Sequence, residues 1–467
     1  MTLVDSRPGI IACLDGLAAE TGTAIDSALA ATRIGGPIEE ELAEWFPAEQ
    51  VPGATARFRA LYPDLAIPTL CPLPGARAAA EAVHGQGGRV VVVTAKYEPS
   101  ARRALDELGI PVDAVAGGRY AEAKGEALRE HGATVYVGDH LGDVRAARSA
   151  GAVFVAIATG PYDAESLRAA GADTVLDDLT AFPEWLEDHL LDARLAELEA
   201  RLRSLGGVLV AFSGGADSAF LLAAAVRALG ARNVAAATAV SPSLPAHELA
   251  AAAEFARDLG VRHLTPRTHE MDRDGYRANA GDRCYFCKAE LMDVLAPLAD
   301  ELGIAYAATG TNADDAVAGF RPGIRAAAER GAVTPLRDAG LTKRQVREAS
   351  RRWGLRTWDK PAAACLSSRV AYGIEVTPHR LARVERAEGA LRTALATAGI
   401  PVTNLRVRDL GEAARIEVDR PLVGRVADCR AATDAVRATG FVAVEVDPRG
   451  FRSGSMNELL PDPDPYR

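Results

Sequence analysis

Three stretches of this chain carry side chains whose types and spacing suit bond-making chemistry. Ser213-Gly214-Gly215-Ala216-Asp217-Ser218 follows the apolar run VLVAF and precedes AFLLAAAVRALG. A strand, a glycine-rich turn and a helix start align backbone N–H groups at the positive end of a helix, which suits an anion. The pattern is not GxxxxGK[ST], since no lysine follows the glycines. Arg283-Cys284-Tyr285-Phe286-Cys287-Lys288 holds a C-x-x-C pair, and a third cysteine, Cys365, stands in DKPAAACLSSR at 359–369. A structural zinc site wants four ligands, and neither a second C-x-x-C nor a suitably spaced His pair follows. A thioredoxin-like pair has no use for Cys365. Three thiols without a fourth partner suit an iron–sulfur cluster with one open iron, or a redox pair serving a separate reactive cysteine. Arg283 and Lys288 beside the pair favour the thiolate. The third stretch is dispersed: Thr94 after RVVVV, Lys124, and Gly138-Asp139-His140-Leu141-Gly142-Asp143 after TVYV.

Positioning these groups falls to alternating strand-like and helix-like blocks. Residues 1 to 185 contain IIACL, RVVVVT at 89–94, TVYVG at 134–138 and VFVAI at 153–157 between Ala-rich amphipathic stretches. Right-handed βαβ units and a parallel sheet covered on both faces are expected, with ligands at the carboxyl ends of the strands. EWLEDHLLDARLAELEARLRSLGG (184–207) places leucines at three- and four-residue steps, which predicts a semi-rigid amphipathic helix stopped by Gly206-Gly207. NVAAATAV and IAYAATGTNADD are further strands of the second half, and RLARVERAEGALRTALATAG leads to two strand-like runs in NLRVRDLGEAARIEVD, a smaller α+β appendage. The expected fold is therefore α/β, divided at 1–188, 189–375 and 376–467. The tail ELLPDPDPYR reads as disordered or loosely attached.

Composition narrows the function classes. The chain has 467 residues, 48% apolar and 25% charged, which fits two to four globular domains and excludes fibrous or disordered classes. A formal charge of −10 argues against nucleic acid as a partner. With neither a long apolar run nor a leader pattern, a cytoplasmic protein without membrane contact is expected. Six cysteines are too few and scattered for a disulfide framework. Lysine occurs only at 96, 124, 288, 343 and 360 among 53 basic residues, so arginine is the default cation and each lysine is informative.

The first half resembles the haloacid dehalogenase-like phosphatases. That resemblance implies a Rossmann-like domain in which Thr94 holds a phosphate oxygen, Lys124 neutralises the phosphate, and Asp139 and Asp143 face Mg²⁺. The family's first motif, an apolar strand followed by DxDGT, is not matched. Aligning on the Gly of CLDGL puts Cys13 at the nucleophile and Asp15 at the acid; aligning on the Gly of GTAIDS puts Ala19 and Thr21 there. Without the nucleophilic carboxylate, the domain is expected to keep the fold and a phosphate-ligand pocket without working as a phosphatase.

SGGADS resembles the pyrophosphate loop of the PP-loop ATP pyrophosphatases, which cleave ATP between the α and β phosphates. The resemblance assigns Ser213, Gly214, Gly215, Asp217 and Ser218 to ATP and pyrophosphate, Ser241 to adenosine, and Asp314 or Asp315 to Mg²⁺, although either carboxylate serves equally as a helix N-cap. Together with RCYFCK, GTNADD, FRPG (320–323) and KPAAACLSSRVAYG (360–373), the chain resembles the LarE-type ATP-dependent sulfur transferases. These adenylate the carboxylates of pyridinium-3,5-biscarboxylic acid mononucleotide and convert them to thiocarboxylates for the nickel-pincer nucleotide cofactor. By resemblance, Cys365 either gives up its own sulfur or joins Cys284 and Cys287 in holding a 4Fe-4S cluster that carries a transferable sulfide. A separate sulfur donor and a homo-oligomer are also implied.

Arg406 and Arg408 lie two apart on a strand and share one face, where paired guanidiniums suit a mononucleotide phosphate, a role the family gives such a pair. A tRNA thiolase or an amide-forming synthetase on the same loop is the rival reading for the second half, and a nucleotide-binding module or phosphatase for the first.

Overall fold

The computed structural model describes residues 1–33, 35–317, 321–361, 364–452 and 455–459. The chain divides into two compact units, Met1–Leu190 and Leu191–Arg467. Phe320 of FRPG, Ala362 and Ala363 before Cys365, and residues 460–467 of the tail lie outside the described residues.

In the first unit β1 (Val4–Asp5) pairs antiparallel with β2 (Cys71–Pro72). Two parallel sheets follow: β3 (Val91–Val93) with β4 (Ala114–Ala116), and β5 (Val135–Gly138) with β6 (Val153–Ile157) and β7 (Thr174–Leu176). The β-branched runs predicted β3, β5 and β6, whereas the short β1, β2, β4 and β7 were not anticipated. IIACL, expected as a strand, is instead part of the helix Arg7–Thr21. Pro8 starts that helix, and Gly9, Cys13, Leu14 and Leu17 repeat at helical spacing on its buried face. Helical periodicity over fifteen residues thus outweighs a five-residue apolar run.

The second unit begins with β8 (Val208–Ala211), β9 (Val234–Ala237), β10 (Arg262–Leu264) and β11 (Ala307–Thr309), all parallel in the order β10-β9-β8-β11. Val208, Val210, Val234 and Ala236 face one core with the helix Ala216–Leu229, while Leu209, Ala211, Ala235 and Ala237 face a second core with the helix Arg283–Glu301. A sheet buried on both faces requires continuous apolar strands, and all four residues of β8 and of β9 are buried. Strand order reverses beside β8, so the crevice at its carboxyl end is the expected ligand position. The remaining strands are β12 (Leu405–Asp409), β13 (Ala413–Val418) and β14 (Ala443–Val446); β12 pairs antiparallel and β14 parallel with β13. The sequence reading anticipated β12 and β13 but not β14.

The expected helix at 184–207 spans Phe182–Leu205, and Gly206 ends it at φ +70°. Leu186 packs in a core of the first unit, and Leu191, Leu198 and Leu202 in a core of the second. Among the described residues no helix is long and apolar enough to cross a membrane.

Candidate functional site

At the end of β8, Gly214 takes a left-handed φ of +68° that a side chain would strain, and Gly215 is the N-cap of the helix Ala216–Leu229 without a side-chain cap. The first N–H groups of that helix therefore remain open to a ligand. Ser218 Oγ accepts from Ser213 N (3.3 Å), lies 3.1 Å from Ser213 Oγ and donates to Gly215 O (3.2 Å), so the two serines close the turn upon itself. A Cβ on Gly310 would stand 2.8 Å from Ser218 N, and its absence lets the loop after β11 approach the helix start.

In that loop neither acid is the helix N-cap. Asn312 is the N-cap of the helix Ala313–Val317: its side chain accepts from Asp315 N (3.1 Å), and Asp315 accepts in return from Asn312 N (3.3 Å). Asp314 is exposed and accepts from Lys343 N (2.8 Å). Asp217 is different. Its Oδ1 is buried without a hydrogen-bond partner, and burial, reinforced by Asp315 and opposed by Lys343 and Arg347, raises its carboxyl above the usual range. An orphaned carboxylate oxygen beside open backbone N–H groups is a donor that a hard cation takes, so the residues fit Mg²⁺. Asp217 would hold it, with Asp314 the further carboxylate of the loop.

After β9, the hydroxyls of Ser241 and Ser243 lie 2.8 Å apart and both donate to Glu270, which is 2% exposed. Ser243 O then accepts from Leu366 N (2.9 Å), which ties the loop bearing Cys365 to this strand end.

Buried polar side chains bring Cys365 toward the C-x-x-C helix, although 77 residues separate it from the nearer cysteine of that pair. Asn279, in a left-handed conformation at φ +53°, donates to Ala371 O (2.8 Å) and Ile374 O (2.9 Å). Arg283, 5% exposed, donates to Asn279 and to Ser367 O (2.8 Å), and Tyr276 Oη lies 2.6 Å from Ser367 Oγ. Arg369 pairs with buried Glu388 (2.9 Å) and donates to Cys365 O (2.9 Å). A Cβ on Gly323, in the described part of FRPG, would lie 3.3 Å from Cys284 O. Cys284 is exposed, and Cys287 and Cys365 are half-buried.

Although Cys284 keeps access to solvent, desolvation by the protein packed around both sulfurs is the largest influence and pushes the thiols of Cys284 and Cys287 up. Arg283 opposes this at Cys284 without overcoming it, and burial lowers Lys288 as well, so the expected thiolates at 284 and 287 are not favoured. Among the described residues no three His, Cys, Asp or Glu side chains form a metal-binding set. Without a grouped donor set, the described residues do not offer the expected 4Fe-4S cluster its ligands as they stand.

Arg408 is committed elsewhere. It pairs with buried Glu417 (2.6 Å) and donates to Ser455 Oγ (3.0 Å) and Ser368 O (3.1 Å), so it anchors the Cys365 loop instead of presenting a free fork. Arg406 is half-buried over the Phe451 ring, and burial lowers its guanidinium to about 10. The two therefore do not offer the open pair expected for a phosphate.

In the first unit Thr94, Lys124, Asp139 and Asp143 line one cavity of about 1190 Å³, together with Lys96. Asp143 accepts from Lys124 Nζ (2.7 Å), Tyr136 Oη (3.0 Å) and His140 N (3.3 Å), and Asp139 accepts from Thr2 Oγ1 (2.9 Å). Protein donors satisfy these carboxylates, so the set does not fit Mg²⁺ as it stands. The helix Arg7–Thr21 carries Cys13 into an apolar cluster, where burial raises its thiol to about 11, and turns Asp15 to solvent. Neither lines the cavity.

Sequence reasoning missed Lys360, Glu270, Asn279 and Tyr276. Lys360 Nζ donates to Gly214 O (2.9 Å) and to Glu248 (2.7 Å), while Arg347 holds its carbonyl (2.9 Å). The scarcity of lysine was the available signal for it: Lys96 and Lys124 line the cavity of the first unit, Lys288 stands beside the thiols, and Lys343 and Lys360 stand beside Asp217 and Gly214. The others are visible only once distant segments meet.

These features define an α/β protein with a cavity in its first unit and a glycine turn at the end of a parallel strand in its second. The haloacid dehalogenase-like hydrolase family matches residues 12–148. A phosphoglycolate phosphatase of Rhodospirillum rubrum is 31% identical over 40% of this chain and 87% of its own length. An uncharacterized protein of Synechocystis sp. is 40% identical over 58% of this chain and 99% of its own length. The pyridinium-3,5-bisthiocarboxylic acid mononucleotide synthase of Lactiplantibacillus plantarum is 34% identical over 58% of this chain and 96% of its own. The chain thus belongs to the family of that synthase, with a haloacid dehalogenase-like unit at its N-terminal side.

Proposed function

We propose that the second unit is a PP-loop enzyme that uses ATP to adenylate the carboxylates of a pyridinium biscarboxylate mononucleotide and replaces the adenylate with sulfur, in nickel-pincer nucleotide cofactor biosynthesis. One observation carries the reading: the segment 360–369 touches the glycine cradle through Lys360 and reaches the C-x-x-C helix through Ser367. Activation and sulfur delivery then share one crevice. A carboxylate is a poor electrophile, and adenylation equips it with a good leaving group while the open N–H groups of the cradle hold pyrophosphate. Bound Mg²⁺ supplies charge neutralisation of the triphosphate. Ser241 and Ser243, fixed by Glu270, form the wall for adenosine. In this reading the sulfur of Cys365 attacks the acyl carbon and expels AMP, and loss of the Cys365 α-proton to a base with cleavage of its Cβ–S bond then frees the thiocarboxylate and leaves dehydroalanine at 365. The reading includes a separate sulfur donor and a homo-oligomer. Mass spectrometry of the protein after a single turnover tests it: formation of AMP, pyrophosphate and thiocarboxylate in equal amounts is expected, and AMP formation without sulfur in the product overturns it.

The first unit serves in this reading as a binding module for a phosphorylated ligand, because its carboxylates are already satisfied. Isothermal titration of the full chain with mononucleotides, alongside a phosphate-release assay, separates binding from hydrolysis.

A further inference from the structure

We infer that Lys360 is the phosphate cation of the glycine cradle, supplying from a remote segment the charge that the loop itself lacks; this rests on the adenylating function proposed above. The cradle has open N–H groups at the start of the helix Ala216–Leu229 but no cationic side chain of its own between Ser213 and Ser218. Lys360 comes to it 146 residues later in sequence, donating 2.9 Å to Gly214 O. Its ammonium lies 3.8 Å from where a Cβ on Gly214 would stand, an ordinary contact distance that sets it directly against the turn.

The position is built. Glu248, 15% exposed, holds the ammonium at 2.7 Å, and Arg347 fixes the lysine's own carbonyl. Gly214 and Glu248 take two of the three N–H groups of the ammonium, among the described residues. A carbonyl oxygen is a weaker partner than a phosphate oxygen for a cation, so an arriving polyphosphate draws Lys360 from Gly214 O. During adenylation a substrate carboxylate oxygen bonds to the α-phosphorus and the bond from that phosphorus to the bridging oxygen breaks. The electron pair leaves with pyrophosphate. Lys360 neutralises that growing charge without accepting or giving a proton.

The test measures inorganic pyrophosphate binding, with Mg²⁺, to the full chain by isothermal titration, and ATP–pyrophosphate exchange with the dicarboxylate substrate. Lys360→Gln is expected to weaken pyrophosphate about tenfold or more, with Lys360→Arg recovering most of the loss. Glu248→Gln, which frees the ammonium from its carboxylate, is expected to tighten pyrophosphate about twofold to fivefold and keeps the test alive if Lys360→Gln fails to fold. Equal affinity in wild type and Lys360→Gln, or unchanged or weaker affinity in Glu248→Gln, overturns the role of Lys360 and leaves the adenylating function standing. Failure of the wild type to bind pyrophosphate overturns the cradle and the inference together.

Discussion

The two units treat their carboxylates in opposite ways. Asp143 of the first unit is closed by Lys124, Tyr136 and a backbone N–H. Asp217 of the second is half-buried, with its buried Oδ1 left unpartnered. Both sit on the loop or first helical turn after a parallel strand, so fold position alone does not separate them. Satisfied groups lock a structure, whereas an unsatisfied buried group is tolerated where a ligand completes it. The difference teaches that a carboxylate already paired by its own chain and one left with an unpaired oxygen arise at equivalent places in two α/β units.

The sharpest break in that contrast is Cys365→Ser. Thiocarboxylate formation is expected to fall at least about a thousandfold while pyrophosphate release on first turnover persists, because only the sulfur nucleophile is lost. Parallel mass-spectrometric and pyrophosphate assays check it, and equal loss of both would make Cys365 a structural residue. Asp217→Asn is expected to lower adenylation about 10²- to 10³-fold while raising stability by on the order of 1 kcal/mol, since it removes a desolvated charge. Urea unfolding together with the exchange assay reads both signs. In the first unit Asp143→Ala is expected to cost about 3 kcal/mol by stranding Lys124, with adenylation unchanged. Hydrogen exchange resolved by unit would show protection lost only in residues 1–190.

The smallest expected effect is on pH dependence. Burial lowers the Lys96 ammonium to about 8 from its ordinary 10.5, with Cys13 opposing. Its folded value lies below the unfolded one, so the penalty is fully present below pH 8 and relieved as pH rises toward 10.5. Relative to Lys96→Met, the wild-type first unit should gain on the order of 2 kcal/mol across that window, allowing for partial exposure. Urea titrations of both proteins at pH 8 and pH 10 check it.

Legibility followed range. SGGADS was readable because strand, turn and helix are consecutive, and β8, β9 and β11 lie in the runs that predicted them. IIACL misled because five apolar residues fit either period, and only the following turns reveal the helical one. Arg406 and Arg408 were placed correctly on a strand, yet the partner that engages Arg408 is Glu417 on the neighbouring strand, which spacing along one strand does not disclose. The acids after β11 stayed ambiguous in sequence because a carboxylate and an N-cap use the same residue types.

What the sequence determined by itself was local: the parallel strands β3, β5, β6, β8, β9 and β11, the long helix at 182–205, the glycine cradle, and the rarity that marks each lysine. Only the tertiary structure decided that Lys360 rests on Gly214, that Glu270 fixes two serines, and that Arg283 and Asn279 pin the Cys365 loop to the C-x-x-C helix. The reason is physical. Turn and helix preferences are set by neighbours in the chain, while desolvation and charge pairing depend on whichever distant groups packing brings within hydrogen-bond reach.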